Sequence, residues 1–79
     1  MPPSLNRRLG SAVRELRTEQ GMSQVVFGEK CGFYQTYLSR VERGLANPTI
    51  SAVEVIANSL GLSIFELFRL IEEKGLKRN

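Results

Sequence analysis

The chain has no histidine and a single cysteine, Cys31. One cysteine excludes an internal disulfide, and with no histidine beside it a structural zinc site is not expected. The same shortage bears on catalysis. A Cys31 nucleophile would have no imidazole to activate it, no carboxylates are paired for acid–base work, and no glycine-rich loop is placed to cradle phosphates. An enzyme is therefore not expected, nor is a cofactor, a metal or a small-molecule ligand. There is also no apolar run long enough to span a membrane and no charged-then-apolar leader. The sequence predicts a cytoplasmic protein with no membrane partner, in which Cys31 serves as a small buried hydrophobe.

What is present fits one small domain. Seventy-nine residues, 42% of them hydrophobic and 24% charged, make an ordinary globular composition. A chain of this size buries a modest fraction of its surface and is marginally stable alone, so self-association would help it. The net charge of +3 is unevenly placed. Residues 1–48 hold seven Lys/Arg against four acids, whereas residues 49–79 hold four of each. The basic excess lies in the first half, which suits a polyanionic partner.

Helix punctuation is frequent. Residues 1–4, with two prolines, read as a loose tail. A first helix is predicted over about Leu5 to Glu19, with Leu5, Leu9, Ala12, Val13 and Leu16 at helical spacing and Gly21 at its end. Ser23 is a good N-cap for a second helix running to about Cys31, and Gly32 suits the left-handed exit. Gly28 lies mid-helix, where glycine costs about 1 kcal/mol against alanine; a close crossing by the next helix would explain it. Phe33 would plug the turn. A third helix is expected over Gln35 to Glu42, closed by Gly44. Its Tyr37, Leu38 and Val41 form one stripe, with Gln35, Thr36, Ser39 and Arg40 opposite. Thr49 starts a fourth helix from about Ile50 to Leu60, although Ser51 with Glu54 offers a competing capping box. Its stripe is Ile50, Val53, Ile56, Ala57 and Leu60. Ser63 with Glu66 is a further capping box, opening a fifth helix to about Glu73, with residues 74–79 frayed. Two short helices joined by a tight turn over Ser23 to Arg43 make a helix-turn-helix unit.

At these residues the chain resembles the lambda-repressor-like (Cro/XRE-type) helix-turn-helix family. The resemblance is carried by Ser23-Gln24, Phe27, Gly28, Gly32, the run Tyr37-Leu38-Ser39-Arg40-Val41-Glu42-Arg43-Gly44, and Asn47-Pro48-Thr49. It spans about Leu9 to Phe68. It implies an all-α, compact five-helix DNA-binding domain in which helices two and three form the helix-turn-helix, occupying the single domain 1–79. Size and helix spacing are similar to the small controller proteins of restriction–modification systems. The resemblance also implies an Arg17–Glu42 bridge, since the family commonly places an Arg–Glu pair at this separation. A glycine at the position of Gly10 is common there too.

On that reading the partner is double-stranded DNA. Gln35 suits adenine, Arg40 guanine, Thr36 a thymine methyl, and Ser39 is an unselective partner. Gln24 starts the second helix, where it can brace Gln35 or hold a phosphate. Arg43 and Asn47 match the family's backbone-contacting positions. Tyr37 is divided between core packing and a phosphate contact. Tyr34 departs from the Ser or Thr usual at that cap, and its ring can lean on the DNA backbone instead. Arg7, Arg8, Arg14 and Lys30 read as solvated.

The fifth helix carries more apolar surface than one face needs. Val55, Phe65, Phe68 and Leu70 are the expected homodimer interface. Each subunit would then place one recognition helix on a palindromic operator, and RNA polymerase is a further partner for such a regulator. A phage-type repressor, an antitoxin-like autoregulator, and a protein-interaction module built on the same scaffold are the competing readings.

Overall fold

The structure, a computed structural model, describes residues 3–77, with side chains through Lys74. Its elements follow the punctuation: α1 Leu5–Glu19, α2 Gln24–Cys31, α3 Gln35–Glu42, α4 Ile50–Ser59 and α5 Ile64–Lys77. Among the described residues there is no strand, and no single helix is long and apolar enough to cross a membrane.

The starts are set by side-chain caps. The hydroxyls of Ser23 and Thr49 accept from the amides of Val26 and Ala52 at 3.1 and 3.0 Å. Thr49 thus wins over the Ser51–Glu54 box, and Ser51 lies exposed inside the helix. Ser63 and Glu66 form the reciprocal box, the Ser63 amide donating to Glu66 at 2.8 Å and the Glu66 amide to Ser63 at 3.0 Å. Two corrections concern the ends. Ser4 caps α1 rather than lying in a loose tail, because its hydroxyl accepts from the Arg7 amide at 3.2 Å. Helix α5 also runs past Glu73 to Lys77. Lys74 is ion-paired to Glu15 of α1, and the lone Gly75 that follows costs only about 1 kcal/mol, too little to end a docked helix. The expected loose residues 1–2 and 78–79 lie outside the described residues.

The core joins Leu9, Ala12 and Val13 of α1 to Phe27, Leu38, Val41, Val53, Ile56 and Leu67. Helix α1 packs on α3 and α5, and α2 packs on α3 and α4. Helices α4 and α5 meet at a bend of 87°. Leu5 and Ile50 fit their stripes by angle yet are exposed. Each opens its helix, one turn before the axis reaches the core.

Two glycines explain the closeness of this packing. A Cβ on Gly10 would lie 2.5 Å from the Glu42 carbonyl oxygen and nearer still to that of Val41. Helix α1 therefore crosses the end of α3 at backbone contact. A Cβ on Gly28 would lie 2.8 Å from the Phe33 carbonyl oxygen. The segment crossing there is the turn itself, not α3, because the Phe33 amide folds back onto the Gly28 carbonyl at 2.8 Å.

Candidate nucleic-acid interface

The local chemistry of the turn points α3 outward. Gly32 exits α2 at φ 78°, a left-handed conformation that suits glycine. Phe33 then turns inward and its ring meets Tyr37 edge-on, with centroids 5.2 Å apart. Tyr37 is half-buried behind that contact, whereas Leu38 and Val41 are fully enclosed. With one side of α3 consumed by the core, the opposite side is left to solvent.

That side forms a single shallow concavity of about 250 Å³ lined by Gln35, Thr36, Ser39, Arg40 and Arg43. All are exposed except Ser39, which is half-buried. The lining offers amide, hydroxyl and guanidinium groups and no carboxylate, an inventory suited to base edges and phosphates. Arg40 donates from Nη2 to the Leu45 carbonyl at 2.9 Å. This holds the loop that leaves α3, and further guanidinium donors remain. Arg43 lies over the helix end, with Nε 3.4 Å from the Ser39 carbonyl oxygen.

The flanking residues are placed by bonds that sequence spacing does not reveal. Asn47 is exposed, and its carbonyl accepts from the side chain of Asn6 at 2.5 Å. The loop before α4 is thereby tied to the first turn of α1. Tyr34 precedes α3 without any side-chain cap and is 87% exposed. It stands beside the concavity rather than in its lining.

A buried ion pair joins α3 to α1. Arg17 donates from Nε and Nη2 to the two oxygens of Glu42 at 2.6 and 2.9 Å, and from Nη1 to the Met22 carbonyl at 2.8 Å. One guanidinium thus ties α1, the α1–α2 turn and α3 together. The hydrogen bond to Glu42 holds the Arg17 pKa above its ordinary value, against the opposing effect of burial. Gln24 reaches the same carboxylate, donating to Glu42 Oε1 at 3.1 Å, and accepts from Gln35 Nε2 at 3.2 Å. It therefore braces Gln35. The link from Gln24 to Glu42 had no signal in the sequence.

The four residues expected at a dimer interface do not share one environment. Phe65 is 81% exposed, Val55 is partly open and Leu70 is half-buried. Phe68 is half-buried and packed against the core, so part of it is already used within the subunit. Cys31 is half-buried against the core, which raises its thiol pKa by desolvation, with Ser59 and Lys30 pulling the other way. Among the described residues no cluster of three metal-ligating side chains occurs.

The helix-turn-helix family profile matches residues 13–67. The uncharacterized HTH-type transcriptional regulator y4dJ of Sinorhizobium fredii is 38% identical over 69 residues, covering 87% of this chain and 90% of that protein. Control protein C.MunI of a Mycoplasma species is 34% identical over 68 residues, covering 85% and 92%. Among solved structures, a point variant of the restriction–modification controller protein C.Esp1396I aligns over 100% of both chains, with a TM-score of 0.88 and 28% identity. The same controller is known as a tetramer in complex with its natural 35 base-pair operator, and that structure gives a TM-score of 0.85 at 28% identity over 95% of this chain and 99% of the other.

Proposed function

The chain belongs to the Cro/XRE-type helix-turn-helix family of transcriptional regulators, and from that premise we propose that it works as a restriction–modification controller. It binds as a homodimer to a palindromic operator beside its own promoter. Helix α3 enters the major groove. Gln35 and Arg40 read bases there, with Thr36 and Ser39 filling between them, while Arg43, Asn47, Tyr34 and the α2 start at Gln24 contact the backbone. RNA polymerase is the partner when the bound dimer activates, and the cytoplasm is the setting. No catalytic step is part of this reading; the family acts by binding DNA.

The observation that carries the proposal is the α3 concavity, which is polar and basic, open to solvent and free of carboxylates. A protein-interaction module would present an acidic or greasy face there. What supports a controller is the likeness to two of them: control protein C.MunI is 34% identical over 85% of this chain, and the C.Esp1396I variant shares the fold at a TM-score of 0.88 with 28% identity.

The test is selection of bound sequences from a random DNA pool at low salt. The expected product is a half-site repeated about a twofold axis, the two recognition helices lying about 34 Å apart. Recovery of no common sequence, with no gel shift at low ionic strength, would remove the DNA reading. Recovery of a lone half-site would remove the dimer.

A further inference from the structure

We infer that the buried Arg17–Glu42 pair is a positioning device for base recognition: acting through Gln24, it fixes which way round Gln35 presents its amide to DNA. The inference rests on Gln35 as a base reader, as proposed above.

The direction of the hydrogen bonds follows from charge. A carboxylate only accepts. Glu42 Oε1 takes an N–H from Arg17 at 2.9 Å and one from Gln24 at 3.1 Å. With its nitrogen committed to Glu42, Gln24 turns its oxygen toward Gln35. That oxygen also only accepts, so Gln35 must offer its Nε2, which it does at 3.2 Å. The reverse arrangement would set the Gln24 oxygen against the Glu42 carboxylate. A guanidinium, which stays protonated at any working pH, thus orients a carboxylate, then an amide, then a second amide.

Exposure follows the same path. Arg17 and Glu42 are buried, Gln24 is half-buried and Gln35 is exposed. At the outer end Gln35 keeps its Oε1 acceptor and one N–H donor, the two groups that adenine N6 and N7 require. Without the anchor, Gln24 is free to rotate, and Gln35 loses the fixed order of acceptor and donor along the groove.

A purely architectural ion pair makes a different prediction, and substitutions separate the two. In the full chain, Gln35→Ala first identifies the column of the selected half-site that Gln35 reads. Gln24→Leu then breaks the relay at its middle link while leaving the ion pair in place. Arg17→Met with Glu42→Leu removes the anchor but fills the space with apolar groups, an exchange that proteins commonly tolerate; circular dichroism confirms that the double variant is folded. The expected result is that Gln24→Leu and the double variant flatten the same column as Gln35→Ala. Discrimination there should fall by roughly an order of magnitude, with the other columns kept. For the double variant, affinity for unrelated DNA should also be kept. If Gln35→Ala flattens a column that Gln24→Leu or the folded double variant preserves, the relay is wrong and Gln35 remains a base reader. If Gln35→Ala flattens no column, the assignment of Gln35 fails and the relay fails with it. Should the double variant not fold, Gln24→Leu decides alone.

Discussion

Gly10 lies in the interior of α1, where alanine is ordinarily about 1 kcal/mol better than glycine. Here the added methyl would press on the Val41 and Glu42 carbonyl oxygens, the latter at 2.5 Å. Neither neighbour is the end of a flexible side chain, so two helix backbones must part. Gly10→Ala is therefore expected to destabilise, by about 1–3 kcal/mol, reversing the usual sign; urea unfolding measures it. The same scale separates the two arginines of the α3 face. Arg40→Ala should cost about 1–3 kcal/mol at one operator position only, whereas Arg43→Ala should weaken binding to every sequence alike. Equal losses on all sequences for both would overturn the assignment of Arg40. Because Arg40 also holds the Leu45 carbonyl, its variant should be checked for an unchanged melting temperature. Cys31 gives a third expectation. Its thiol pKa is raised by burial, so the thiolate fraction at neutral pH is smaller than for a free cysteine. A disulfide reagent should modify the folded protein slowly and the urea-unfolded protein fast. Equal rates would show that the thiol is not shielded.

At the level of elements, the caps are testable in pairs. Thr49 caps α4 and Ser51 does not, although the sequence offers either. Thr49→Ala should cost about 1 kcal/mol and Ser51→Ala close to nothing, both read from chemical denaturation. Comparable losses would mean that the two caps exchange. The residues speak for the fold unevenly. The caps at Ser23 and Ser63 were legible, since their hydroxyls reach free amides, and Gly32 marked its turn through φ. Ser4, a cap of the same kind, was hidden by the two prolines before it, and the choice between Thr49 and Ser51 stayed open. The Ser23-to-Arg43 unit could be outlined from these signals together with the apolar stripe of α3, whose start at Tyr34 carries no side-chain cap. Less legible was anything decided by a tertiary neighbour. The end of α5 depends on α1, through Glu15. Gly28 announces a close approach but not that the turn makes it. Periodicity places Leu5 and Ile50 on the right side of their helices without saying where the core ends. In the candidate site, the residue types of α3 could be read directly. Two links could not, Gln24 to Glu42 and Asn6 to Asn47, because polar side chains on different helices carry no spacing rule.

For the whole molecule, the question is how an 8.9 kDa chain holds both itself and a specific site on DNA. One α3 face offers few base contacts, and a core this small leaves little stability in reserve. A twofold partner would answer both needs with the same surface. The exposed Phe65 and Val55, with half-buried Leu70, lie on α4 and α5, away from the residues that line the α3 concavity. If those groups form the interface, folding is linked to association, and the melting temperature should rise with protein concentration. Phe65→Glu places a charge in that interface. The variant should sediment as a monomer, and its melting temperature should lose the concentration dependence. Each subunit neutralises its own phosphates, so the slope of log affinity against log salt, about −0.9 per phosphate, should fall to roughly half for the variant on a single half-site. Its preference among half-site sequences should survive, since the α3 face is untouched. A Phe65→Glu protein that still sediments as a dimer would place the interface elsewhere on the surface. One that is monomeric yet holds the two-half-site operator as tightly as before would show that pairing on DNA does not depend on α5.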